Sequence, residues 1–144
     1  MRTDIYIQSS IREMERRDGI VGLVVERQTD APETFTQFGR VLSATKNCAD
    51  LLGLKNALIH TDPEDELHIY LDNNYITAAL IQDWPGSWRL NGWKTVKGKP
   101  VANMAEWQAV EELLRGRKPQ LHDGAHKYRR WLDGELARRA KKYD

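Results

Sequence analysis

The sequence predicts an α/β fold in which a five-stranded mixed sheet carries helices on both faces. Three observations predict it. Strand-type runs come three in succession before residue 43, separated by short polar breaks at Asp18-Gly19 and Asp30-Ala31-Pro32. From Thr45 the apolar spacing changes from alternate residues to helical steps. Strands and helices then follow one another, so helical crossovers join the later strands and the sheet is mixed.

"DIYIQSS" sets Ile5 and Ile7 against Tyr6 and Gln8 and reads as strand one. "IREMERRDG" is a charged connection. "IVGLVVERQ" is apolar on both faces at its start and reads as a central strand, and "TFTQFGRVL" is the third. "TKNCADLLGLKNALIH" places Leu51, Leu54 and Leu58 on one helical face, with Thr45 or Ser43 as cap. Gly53 within that helix points to close packing. "LHIYLD" is strand four and "NNYITAALIQDW" a short helix expected to stop before Pro85. An irregular arm follows. "NMAEWQAVEELL" is a helix in which Asn103 and Glu106 have the form of a capping box. "KPQLHD" is a weak fifth strand, and "HKYRRWLDGELARRAKK" a terminal helix with Trp131, Leu132 and Leu136 turned inward. The expected order is β-β-β-α-β-α-α-β-α, in one domain spanning 1–144.

The 144 residues suffice for a real core, and a net charge of +1 names no partner. The distribution says more. From Arg115 to Asp144 ten Lys/Arg face four acids, which favours a polyanion or an acidic protein surface. Cys48 is the lone cysteine, so no internal disulfide or cysteine-built metal site can form, which suits a reducing cytoplasm. The N-terminus lacks the apolar core of a signal peptide, and no run nears the roughly 20 apolar residues of a membrane span.

One stretch carries more information than the rest. "LDNNYITAALIQDWPGSWRLNGWKTVKGKPVANMAEWQAVEELL" holds Asp72-Asn73-Asn74-Tyr75-Ile76, then Gly92-Trp93-Lys94-Thr95, then Pro100-Val101-Ala102-Asn103 and Trp107. These resemble, in order and spacing, the central region of type 1 ribonuclease H. "TKNCADLL" and "DGELARRA" resemble two further segments of that family. The resemblance implies an arm that holds the DNA strand of an RNA·DNA hybrid, here through Trp84, Trp88, Trp93, Lys94, Lys97 and Lys99. Lysines neutralise phosphate and indole faces pack on sugar or base. Asn47 matches a family residue in the minor groove, with Lys46 where a second Asn is usual. Asn74 offers a similar polar contact. Helix capping is the plainer reading of both asparagines, and core anchoring that of Trp107. Ser87, Leu90 and Asn91 stand where the family's arm commonly carries lysines.

The resemblance also implies two Mg²⁺ or Mn²⁺ ions about 4 Å apart, held by four carboxylates. This sequence departs from that set. Asp72 matches the strand-four aspartate. Asp50 stands where a glutamate is expected, shorter by about 1.5 Å. The last acid falls on Gly134, with Asp133 beside it but turned about 100° around the helix. The first aspartate, which bridges both metals, falls on Gln8. Asp4 lies roughly 13 Å back along the strand and cannot replace it. Asp72, Asp50 and Asp133 are thus the candidate catalytic residues, Asp72 and Asp50 the candidate metal ligands, and Gln8 the position of a lost acid. The family's glycine-rich loop is replaced by "IREMERRDG". His122 and His126 flank the place of its loop histidine and have a spacing that can bind zinc only on one helix.

Three functions are expected from these residues: a nucleic-acid-binding domain for RNA·DNA hybrid or duplex with hydrolysis weak or lost; an active metal-dependent endoribonuclease using Asp50, Asp72 and Asp133; or a protein-interaction module working through the basic C-terminal helix. Gln8 opposes the second, and the retained arm with Trp93 and Lys94 opposes the third.

Overall fold

The computed structural model describes residues 1–142; Tyr143 and Asp144, the last residues of the expected domain and one of the four acids of the basic terminus, lie outside the described residues. The elements are β1 (Arg2–Ser9), β2 (Arg17–Gln28), β3 (Glu33–Ala44), α1 (Lys46–Ile59), β4 (Glu66–Leu71), α2 (Asn74–Ile81), α3 (Trp84–Leu90), α4 (Met104–Leu114), β5 (Gln120–His122) and α5 (Arg129–Ala140). The sheet order is β3-β2-β1-β4-β5. β1, β2 and β3 form the expected antiparallel meander, and β1–β4 and β4–β5 are parallel.

Side-chain alternation along the strands divides the core in two. Ile5, Ile7, Leu67, Ile69 and Leu71 face α1 and its Leu51, Leu54 and Leu58. Tyr6 and Val24 face the other way, onto Leu132 of α5. Gly53 meets the sheet so closely that an added Cβ would lie 2.7 Å from Val21 Cγ2 and 2.9 Å from Ile7 Cγ2. α1 therefore needs the missing side chain to seat, as the sequence suggested.

Three expectations are corrected. First, α2 stops before Pro85 as expected, at Ile81, but Pro85 then lies in the first turn of another helix, α3, making three helices rather than two between β4 and β5. A proline costs nothing there, because the N–H it lacks would have no partner within the helix. Asp83 caps α3, its Oδ1 accepting from Gly86 N at 3.2 Å. Second, Asn103 precedes α4 but makes no side-chain cap, since its φ of 56° is left-handed and a capping box needs an extended backbone there. Glu106 instead lies 3.8 Å from Cys48 Sγ. Third, Leu132 and Leu136 are buried but Trp131 is 48% exposed, leaning edge-on against Phe38.

Among the described residues no helix is long and apolar enough to cross a membrane. Because β1 and β4 run parallel, their C-terminal ends open on the same edge of the sheet. The last pair is Ile7 with Leu71, so Gln8 and Asp72 leave that edge side by side. Such an edge, where connections depart in opposite directions, is where open α/β sheets place their sites.

Candidate nucleic-acid interface and carboxylate edge

Gln8 is 3% exposed, and among the described residues its Oε1 has no hydrogen-bond partner. Beyond it, Ser9 Oγ accepts from Ile11 N and donates to Ile11 O, closing the end of β1. The 10–16 connection then ties itself to its surroundings. Arg16 Nη1 donates to Ser43 O at 2.9 Å, and Glu13 O accepts from Lys46 N at 3.1 Å.

Each candidate acid has a cation. Asp50, 1% exposed, takes Lys46 Nζ at 2.9 Å and Asn73 Nδ2 at 2.9 Å. Burial pushes its carboxyl up from the usual carboxylate range, against the pull of Lys46 and Asn73. Asp72 Oδ2 lies 3.1 Å from Arg129 Nη2. Asp133 receives Arg12 Nη2 at 3.0 Å and has Arg129 Nε at 3.9 Å. Gly134 is exposed, with open space where a Cβ would be.

The donor set does not fit the two metal ions that the resemblance implies. Among the described residues no three acidic, histidine or cysteine side chains gather closely enough to hold an ion. The buried amide oxygen of Gln8 could ligate a cation but brings no charge to the place where charge is most needed. The remaining acids are tied to internal cations, so no chemical step is routed through a metal here.

Asn73 is a residue the sequence reading passed over. Its Oδ1 accepts from Ile76 N and caps α2, while its Nδ2 donates to Asn47 Oδ1 and Asp50 Oδ2, each at 2.9 Å. Capping thus belongs to Asn73 and not to Asn74, which is exposed, and Thr45 rather than Asn47 caps α1. Two adjacent asparagines after a strand were the available signal; only geometry tells which one turns inward.

The arm is built on aromatic rings. Trp107 is fully buried. Trp88 packs edge-on against it with centroids 5.4 Å apart, and Trp84 and Trp93 lie 6.3 and 6.5 Å from Trp88. Trp93 has a left-handed φ of 60°, a strained state for a bulky residue. Backbone bonds hold it there, from Trp93 N to Trp88 O at 2.7 Å and from Val101 N to Trp93 O at 3.1 Å. Beside this stack Trp84, Trp88, Lys94 and Lys97 line a groove of about 700 Å³. Lys94, Lys97 and Lys99 are all exposed.

The two histidines do not share a helix. His122 ends β5 and meets His68 Nδ1 through Nε2 at 2.9 Å, and His126 precedes α5. Burial lowers both below the usual imidazole value. Three basic residues of α5 are engaged internally, Arg129 with Asp72 and Arg138 and Arg139 with Glu135, while Arg130 is exposed.

The comparisons with known proteins agree with this architecture. Ribonuclease HI of Streptomyces coelicolor is 43% identical over 79 residues, 55% of this chain and 34% of that protein. The chain spans 61% of Acidovorax ribonuclease H, so it covers less than two thirds of these relatives. LC9-RNase H1, described as a type 1 RNase H with the type 2 active-site motif, superposes with a TM-score of 0.73 at 20% identity, over 97% of this chain and 72% of that one. The foamy viral protease-reverse transcriptase, solved in complex with an RNA/DNA hybrid, superposes at 0.70 and 13% identity, over 95% of this chain and 19% of that one. At such identities the superpositions speak for the fold alone. The sequence match is the stronger finding: the RNase H family model runs from residue 2 to residue 127, through the sheet and the arm alike, and the chain belongs to that family.

Proposed function

We propose that this chain is a nucleic-acid-binding domain of the ribonuclease H type, acting on RNA·DNA hybrid or duplex, with hydrolysis weak or lost. The observation that carries the reading is the groove of the arm, where Trp84 and Trp88 form an apolar wall and Lys94 and Lys97 a cationic one. A single nucleic-acid strand has the same two sides, sugar or base face and phosphate. Lys99 adds a third exposed charge at the arm's turn, and Asn47 and Lys46 lie at the start of α1 for a second contact.

Weak or absent hydrolysis is supported by Gln8 in place of a bridging aspartate and by Gly134 where a further acid is expected. The family generally uses divalent metal ions, and Mg²⁺ or Mn²⁺ is the cofactor to supply if any cleavage survives.

The test is a labelled RNA·DNA hybrid offered with Mg²⁺ or Mn²⁺ to the unmodified protein, Asp72→Asn and Gln8→Asp. The expected outcome is binding that weakens steeply with salt, without cleavage by the unmodified protein. Cleavage that Asp72→Asn abolishes would overturn the loss of hydrolysis and favour an endoribonuclease. Absence of salt-dependent binding would overturn the nucleic-acid reading itself.

A further inference from the structure

We propose that the carboxylate edge is sealed against divalent metal by the chain's own cations and meets a nucleic-acid backbone as a metal-free site; this rests on the nucleic-acid reading above. Three segments far apart in sequence each deliver one cation to one acid. α1 brings Lys46 to Asp50, α5 brings Arg129 to Asp72, and the 10–16 connection brings Arg12 to Asp133, at 2.9, 3.1 and 3.0 Å. Arg129 also approaches Asp133, so one guanidinium lies between the two half-buried acids, Asp72 and Asp133.

Charge and geometry both oppose replacement. Three acids matched by three cations leave the edge nearly neutral, so it has little net charge with which to draw a divalent ion. Magnesium dehydrates reluctantly and demands a near-octahedral set of oxygens. To supply it, Asp72 would have to leave Arg129, and Asp50 would have to leave both Lys46 and Asn73 while almost wholly buried. The Lys46 ammonium would then face a dication. The unpartnered Oε1 of Gln8 offers a ligand atom without the charge to offset that repulsion.

The same arrangement removes the need for a metal in binding. Unpaired carboxylates repel phosphate unless an ion intervenes, whereas a neutral edge does not. Arg12 and Arg129 remain partly exposed. A guanidinium carries five N–H donors, so each can donate to a phosphate oxygen while keeping its carboxylate. The contact is non-covalent, and no bond is made or broken.

Mn²⁺ titration followed by water-proton relaxation tests the seal without any activity assay. The unmodified protein is expected to give the relaxation of free Mn²⁺ at millimolar metal. Arg12→Gln/Arg129→Gln combined with Gln8→Asp is expected to bind Mn²⁺ at least about tenfold more tightly. Arg129→Lys, which keeps a cation, is expected to stay metal-free. Circular dichroism checks that each variant is folded. Mn²⁺ binding by the unmodified protein that Asp72→Asn abolishes overturns the proposal, and so does a folded triple variant that gains none. In chelating buffer the protein is expected to hold an RNA·DNA hybrid, with affinity changed by less than about twofold when Mg²⁺ is added at matched ionic strength. Hybrid binding that appears only with metal overturns the metal-free site. Failure to bind hybrid in either buffer overturns the nucleic-acid reading instead, and the Mn²⁺ titration still decides the seal.

Discussion

The arm and the carboxylate edge have diverged to different degrees within one small fold. The arm has its tryptophans, its left-handed turn at Trp93 and three exposed lysines, Lys94, Lys97 and Lys99, though Ser87, Leu90 and Asn91 stand where the resemblance implies more. The edge has Gln8 and Gly134 at two of the four positions where the resemblance implies an acid, and its candidate acids are paired internally. The difference follows from what holds each region together. The tryptophans of the arm are also packing groups: Trp84, Trp88 and Trp93 lie against the core that contains Trp107. Their loss would cost the fold as well as binding. The acids at the edge stabilise nothing in common, because gathered carboxylates repel one another. β1 pairs with β4 up to Ile7 and with β2 through Gln8 and Ser9. Chemistry can therefore be removed from the edge without disturbing the sheet.

The largest expected effect breaks the arm from its base. Trp107→Ala should destabilise the protein by about 3–5 kcal/mol, the usual range for emptying a buried indole site. Its indole Nε1 makes no close hydrogen bond among the described residues, so the loss is mainly one of packing. Urea unfolding measures it. A loss under about 1 kcal/mol would mean that the arm does not depend on this anchor.

A second change separates charge from packing within the arm. Replacing Lys94, Lys97 and Lys99 together by alanine should leave the unfolding midpoint nearly unchanged, because all three are exposed. Hybrid affinity should fall. The slope of log affinity against log salt should become shallower by about 2 to 3, one phosphate per lysine. An unchanged slope would remove the arm from the binding surface and leave it a packing element.

The architecture was legible in the sequence because it rests on local patterns. Alternation marked the strands, helical spacing marked α1, and Gly53 announced the close approach of α1 to Val21 and Ile7. The misreadings also have physical causes. Pro85 has one identity but two meanings, a stop inside a helix and a natural residue in its first turn, and the cap at Asp83 decides between them. Asn103 has the letters of a capping box without its backbone. At the edge, Gln8 at the place where the resemblance implies an acid could be read from the sequence, but the pairing of the acids around it could not. Arg129 lies far along the chain from Asp72, and Arg12 farther still from Asp133; only the fold brings such charges within 3.1 Å.

The smallest effect concerns the start of α5, the helix that presents Arg129 and Asp133. His126 Nδ1 accepts from Tyr128 N at 3.2 Å, and Tyr128 occupies the cap position of α5. That bond requires Nδ1 without a proton. Nε2 is buried and has no partner, so a charged ring would hold a donor with nowhere to place it. Burial, helped by the nearby Arg129, accordingly lowers the pKa of His126 below 6.5. A histidine depressed in the folded state contributes stability that is complete above its unfolded value. The contribution is lost as pH falls through the folded one. Stability should thus decline over the range from neutral pH down through the depressed imidazole value. His126→Asn, which keeps an acceptor but does not titrate, should reduce that decline, with part remaining because His122 is depressed by burial as well. Urea midpoints at the two ends of this range decide the matter. An undiminished decline in the variant would separate the start of α5, and the placement of Arg129 with it, from the protonation of His126.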